Sequence, residues 1–343
     1  MIKKLSISEA VGKALAHDIT EIRPGEFKGV AFRRGTEICD GDLCHLQRLG
    51  KNHLYVIDLE EDEVHEDEAA LKLAHSLAGK GVRCETEPRE GKIRLFADQN
   101  GLLIVDTELL LEFNMVDEVM CATLHQYSVV EKGELVGATR AIPLVMKRSV
   151  IESAAALARS RGGVLSVVPL NPATAGVVIT GNEIHSGLIE DRFEPVIRQK
   201  LESFSSVIKA IDVVPDDAHR IGGAIRSQIN RGCDLVLLSG GMSVDPDDVT
   251  RQGVLLAGAT EINYGASVLP GAMFMVAYVG GIPILGVPAC GIYHKITALD
   301  LVLPRILAGQ HVTKNDLAAL GHGGLCRNCP ECIFPRCAFG KNT

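Results

Sequence analysis

Between residues 175 and 241 the chain reads AGVVIT (175–180), DRFEPVIRQKLESF (191–204), VIKAIDVV (207–214), DAHRIGGAIRSQINR (217–231) and DLVLLSGG (234–241). Short runs rich in Val, Ile and Leu alternate with longer segments whose apolar residues recur at helical spacing. Phe193, Val196, Ile197, Leu201 and Phe204 fall on one side of the first helix, and Ile221, Ile225 and Ile229 on one side of the second. Gly232 stands where that second helix must stop. Parallel strands need crossover helices, and those helices cover both sheet faces. The pattern predicts a three-layer α/β/α fold with a mostly parallel sheet.

Downstream, the spacing predicts a helix over 248–257, strands over 274–279 and 282–287, and a last helix over about 291–308 bent at Pro304. With a boundary at Asn171-Pro172, this domain spans 171–312. Upstream, 1–60 reads as a small α/β subdomain. It has a helix over 7–19 carried by Ala10, Val11, Ala14 and Leu15, strands near 30–38 and 53–59, and a brief helix ended by Gly50. Residues 61–170 read as an α+β region. Its acidic run 60–68 opens a helix with apolar face Ala70, Leu71, Ala74 and Leu77, and those carboxylates suit a helix N-terminus better than a metal.

Composition narrows the function. The chain has 343 residues, a net charge of −8, no Trp and 4% aromatics, which argues against a nucleic-acid partner that needs phosphate neutralisation or stacking. The N-terminus lacks a secretory apolar core, and the long uncharged run 262–293 is broken by Pro270, Pro283 and Pro288. The expectation is a cytoplasmic protein that does not cross a membrane.

In an open parallel sheet, ligands collect at the C-terminal strand ends, where helix N-termini offer free amides. Three loops there carry the informative residues: Thr180-Gly181-Asn182-Glu183, then Ser239-Gly240-Gly241-Met242-Ser243 running on to Asp248, then Pro288-Ala289-Cys290-Gly291. The Gly240-Gly241 pair admits a ligand close to the backbone, and Ser243 with nearby amides can cradle a phosphate or pterin oxygen. Asp245, Asp247 and Asp248 suit Mg2+ held against that phosphate, with Asp245 and Asp248 foremost, whereas Asp247 or Asp248 as a plain helix cap is the alternative. Cys290 reads either as a thiolate activated at a helix start or as a small buried residue. The histidines form no ligand pair and read as ordinary.

The order TGNE, then SGG-x-S-V-x-x-x-D, then the Leu269-Pro270-Gly271 turn and the GVPxxG turn resembles the molybdopterin-binding domain of molybdopterin molybdenumtransferases. That domain also occurs in molybdopterin adenylyltransferases and in competence-damage-type nucleotide hydrolases. The resemblance runs from about Ala175 to Gly309 and implies catalytic roles for Glu183 and Asp248. It also implies pterin contacts at Gly240, Gly241 and Ser243, a Mg2+ ion, and the exchange of a nucleotide group for molybdate on free or adenylylated molybdopterin. Relatives of this domain usually assemble as homo-oligomers, and a recipient molybdoenzyme is a further implied partner. The chain departs from the family at two turns: Pro-Gly-Lys-Pro is Pro270-Gly271-Ala272-Met273 here, and Pro-Gly-Asn-Pro is Pro288-Ala289-Cys290-Gly291. A non-catalytic carrier of the finished cofactor is therefore a second reading, and a nucleotide hydrolase a third.

The tail, 313–343, holds Cys326, Cys329, Cys332 and Cys337 in a C-x2-C-x2-C-x4-C run, with His322-Gly323-Gly324 as a flexible link before it. The spacing places four thiolates around one centre. Its first three cysteines match the bacterial iron–sulfur run, zinc is the alternative, and free thiols or disulfides come third.

Overall fold

The computed structural model describes residues 2–23, 27–57, 59–89, 91–242 and 249–341. They form two compact units, Met1–Gln126 with Val130–Val168, and Tyr127–Val129 with Pro169–Thr343.

In the first unit, strand Ile2–Ser6 pairs antiparallel with His53–Ile57, Ile19–Arg23 pairs antiparallel with Phe27–Phe32, and helix Leu43–Arg48 stops before Gly50 at φ +72°. The helix expected over 7–19 is not there. Gly12 takes φ +77°, and Val11, Ala14 and Leu15 make isolated bridges to Ile38, Glu37 and Val56. Ala10, Leu15 and Ala16 are fully buried from that irregular path, so the helical spacing of apolar residues came from tertiary packing rather than from a helix.

A second core in this unit lies between a four-stranded sheet and the helices Glu66–Leu77 and Arg148–Arg159. The sheet order is Val82–Cys84, Lys92–Ala97, Leu135–Ala141, Val119–Thr123. The helix after the acidic run buries Ala70, Leu73, Ala74 and Leu77, and Leu71 sits at the margin.

His65 starts that helix. It is 1% exposed; its Nδ1 accepts the Asp67 amide at 3.1 Å, which leaves Nε2–H to donate to the Ala16 carbonyl at 2.8 Å. Protonation would set Nδ1–H against the Asp67 N–H. Burial holds the imidazole below its ordinary pKa, and the Ala16 bond only partly opposes this. The unfolded chain therefore takes the proton first. Stability of this unit is complete above about pH 6.5 and falls as pH drops below that value towards the depressed folded pKa. Denaturant midpoints between pH 7.5 and 5.5 should fall accordingly. His65→Gln should flatten the slope to the share left to His17, whose pKa is also lowered by burial, and cost about 1–2 kcal/mol at pH 7.5.

The second unit is the α/β domain. Its six-stranded sheet runs Val207–Val214, Thr174–Thr180, Leu235–Ser239, Ile282–Val287, Met275–Val279, Glu261–Tyr264. The first four strands are mutually parallel, and Met275–Val279 pairs antiparallel with both its neighbours, Ile282–Val287 and Glu261–Tyr264. Strand pleating sends neighbouring residues to opposite faces. Val177, Ile179, Leu235 and Leu237 meet Phe193, Ile197 and Leu201 of helix Phe193–Glu202 and Leu299, Val302 and Leu303 of helix Ala298–Leu307. Val178, Val236 and Leu238 meet Ile221 and Ile225 of helix Ala218–Asn230 and Val254 of helix Thr250–Leu256. This is the three-layer fold.

The expected last helix is divided, with a 3-10 turn at Ala289–Ile292 and an α-helix beginning only at Ala298 behind the Thr297–Asp300 capping box. The tail is no flexible appendage. Leu317, Leu320 and Phe339 join the same core, and a Cβ on Gly324 would lie 2.3 Å from the Ser267 carbonyl, so the link is packed in place. Among the described residues no helix is long and apolar enough to cross a membrane.

Candidate functional site

Loops after the first and third sequential strands of the sheet meet at its C-terminal edge. Thr180, 2% exposed, donates its hydroxyl to the Ser239 carbonyl at 2.9 Å, and Thr250 donates to the Gly240 carbonyl at 3.1 Å. Gly240 adopts φ +84°, and a Cβ there would stand 2.6 Å from the Thr180 carbonyl. Only glycine lets the two strand ends close up this way.

Beside this junction lies a cavity of about 650 Å3, within the usual size range for small-molecule sites of about 300–1,000 Å3. Gly240, Gly241 and Met242 form one side, the turn Leu269–Met273 another, and Val287–Cys290 a third. The fourth side comes from the tail. The Leu269 amide donates to the Gly324 carbonyl and the Cys326 amide to the Leu269 carbonyl, each at 2.8 Å, which brings Leu325, Cys326 and Asn328 into the lining. His294, on the segment following the 3-10 turn, completes the lining.

The predicted residues divide. Gly240, Gly241, Pro288 and Cys290 line the cavity. Thr180 and Gly181 are buried beside the glycine loop without lining it, so their part is to position that loop. Ser239 is fully buried at its strand end, and its hydroxyl has no partner among the described residues. Asn182 turns away: its amide donates to Asp216 Oδ2 at 3.0 Å and its Oδ1 accepts the Asp216 amide at 3.2 Å. Glu183 is exposed, and neither it nor Gly291 is among the lining residues. Ser243, Asp245 and Asp248 lie outside the described residues.

Cys290 is not an activated thiolate. Burial pushes its thiol pKa up, with backbone groups of Cys290 and Gly271 pulling weakly the other way. The 3-10 turn has too few aligned peptides to overcome that desolvation. Nor do the tail cysteines form a single-ion site. Cys326 and Cys337 pack half-buried against the core while Cys329 and Cys332 are exposed, and among the described residues no three His, Cys, Asp or Glu side chains gather to hold a metal ion.

The cavity has the size and the mostly apolar lining of a small-molecule site. Met242, Leu269, Met273, Val287 and Pro288 supply apolar walls, and the glycine pair admits an anionic group to the backbone. Among the described residues no Lys or Arg lines it. A Mg2+ ion finds no complete carboxylate set among the described residues.

Residues 176–308 match the family described as "Probable molybdopterin binding domain". The chain thus carries a molybdopterin-binding domain. Residues 4–58 separately match a domain of unknown function. A CinA-like protein of Mycobacterium avium is 33% identical over 82 residues, which are 24% of this chain and 19% of that protein. The chain therefore spans about a fifth of the length of such curated relatives. Among solved structures, a molybdopterin biosynthesis Mog protein from Mycobacterium ulcerans aligns with TM-score 0.33 and 22% identity over 39% of this chain and 93% of that one. A molybdopterin biosynthesis MoeA protein from Pyrococcus horikosii aligns with TM-score 0.33 and 15% identity over 90% of this chain and 75% of the other.

The cavity of this domain lies at the strand ends, as the loop pattern implies. Met242, His294, Leu325, Cys326 and Asn328 were missed as lining residues. His294 lies just beyond the turn already singled out through Cys290, and that proximity was the available signal. The tail residues reach the cavity through a long-range pairing for which the local sequence holds no signal.

Proposed function

We propose that the cavity binds molybdopterin, free or adenylylated, during assembly of the molybdenum cofactor, and that molybdate insertion takes place there in the manner of a molybdenumtransferase. The observation that carries this reading is the placement of the Gly240-Gly241 loop and the Pro288–Cys290 turn on one apolar-walled cavity at the C-terminal strand ends. The pterin ring packs between Met242, Met273 and Pro288, and its phosphate faces the glycine loop. Asp248, and Asp245 with any Mg2+, follow Gly241 in the sequence and are the residues we assign to the chemistry. Glu183, exposed beyond the cavity, acts only on a part of the substrate that projects from it.

The absence of a lysine or arginine among the described lining residues, together with the protonated Cys290 thiol, favours a second reading, a carrier of the finished cofactor. One experiment separates the readings. Protein purified without oxygen is extracted for pterin fluorescence, then offered adenylylated molybdopterin and molybdate. A transferase turns over many times and loses that rate in Asp248→Asn while still binding pterin. A carrier binds one equivalent and stops. Release of nucleotide products from pterin-free substrates would instead support a nucleotide hydrolase, and failure to bind pterin at all overturns both leading readings.

The missing cation supplies its own test. Ala272 is exposed at the cavity mouth. Ala272→Lys should tighten binding of the anionic pterin about tenfold, or about 1.4 kcal/mol, read by fluorescence titration. The gain should shrink at high salt.

A further inference from the structure

The cysteine tail supports an inference that does not depend on the pterin reading. Cys326, Cys329, Cys332 and Cys337 all line one cavity of about 280 Å3, next to the pterin cavity. Yet among the described residues no three candidate ligands gather closely enough to hold a single ion. Four thiols lining one cavity supply the ligand set of a cluster instead. From this geometry and the C-x2-C-x2-C-x4-C spacing, we infer that the four cysteines ligate an iron–sulfur cluster in that cavity.

The surroundings agree. Lys295 and Arg327 line the same cavity and offset the negative charge of a cluster carried on four thiolates. Ile296, Ile333, Phe334 and Phe339 supply apolar walls. Two ligands are already set, because Cys326 is fixed by its amide bond to Leu269 and both Cys326 and Cys337 pack against the core. The other two, Cys329 and Cys332, are exposed on a stretch where the amides of 327–332 donate to no backbone carbonyl among the described residues. Drawing such a loop onto a cluster disrupts little existing structure.

Cys326, His294, Leu325 and Asn328 belong to both cavities, so the cluster would share a wall with the pterin site. Loading can proceed by ligand exchange without redox change. A preformed cluster bearing four small thiolates transfers to the protein, each cysteine S–H gives its proton to a departing thiolate, and four small thiols leave.

The test offers the full-length protein, without oxygen, a synthetic four-iron, four-sulfide cluster ligated by 2-mercaptoethanol. The desalted product should hold about four iron atoms and four sulfides per chain, with visible charge-transfer absorption and a paramagnetic signal after reduction. Cys329→Ser and Cys332→Ser should each lower iron retention at least tenfold. Neither residue lines the pterin cavity, so pterin binding and circular dichroism should match the unsubstituted protein and report that the fold is intact. One zinc per chain without sulfide in protein as purified, no iron retained after exchange, or unchanged iron in both variants would overturn the inference. Loss of pterin binding with iron retained would count against the pterin reading alone.

Discussion

Ala289→Trp is expected to abolish pterin retention, lowering affinity at least a hundredfold, or about 3 kcal/mol. Ala289 is exposed on the 3-10 turn and lines the cavity, so an indole there enters space that the ligand needs without disturbing the core. A ligand of this size gains most of its affinity from enclosure on several sides, and displacing it from one wall forfeits contacts on the others. Glu183→Ala is the comparison. Glu183 is exposed and away from the lining residues, so its loss should change pterin affinity less than threefold while lowering any turnover. Fluorescence titration of both variants, with thermal denaturation to confirm folding, reads the contrast. Equal binding by Ala289→Trp and the unsubstituted protein would place the pterin elsewhere.

That contrast reflects how unevenly the site could be read in advance. The four parallel strands were legible because each is a local run of β-branched and aliphatic residues bounded by loops, and the flanking helices because their apolar faces repeat every turn. Glu261–Tyr264 and Val119–Thr123 were not, since both are short, the first is of mixed polarity and the second lacks an apolar–polar alternation, and their pairing partners create them. Residues 7–19 misled because Ala10 and Leu15 are buried one by one from a non-helical path.

Within the site, glycines revealed the floor, because φ +84° at Gly240 is a backbone requirement written into residue type. Asn182 could not be assigned the same way. A polar residue after a strand can face a ligand or an adjacent loop, and here Asp216 captures it. The tail's share of the lining depends on the pairing of Leu269 with Leu325, which no local pattern encodes.

Asp316→Ala should destabilise the second unit by about 2–4 kcal/mol, the largest loss expected of a single surface-reaching side chain there. Arg305, 4% exposed, donates through Nη2 to Asp316 Oδ1 at 2.5 Å and through Nε to Gln310 Oε1 at 2.8 Å. The other Asp316 oxygen accepts from the Thr313 amide at 2.8 Å and hydroxyl at 2.6 Å, closing the capping box of helix Lys314–Ala319. Truncation therefore opens a helix start and leaves a guanidinium buried without its carboxylate. Partial burial alone would raise the Asp316 pKa, but the Thr313 hydroxyl, Arg305 and the Thr313 amide outweigh it and hold the carboxyl below its ordinary value. The sign follows: the contribution is complete above the unfolded pKa of about 3.9 and is lost as pH falls through the lower folded value. Urea denaturation at pH 7 should show the full loss, and the gap between Asp316→Ala and the unsubstituted protein should narrow below about pH 3.9. Double substitution of Arg305→Met with Asp316→Ala should recover part of the stability, because the stranded charge is gone. If the double variant is no more stable than Asp316→Ala, the cost lies in the helix cap and not in the buried pair.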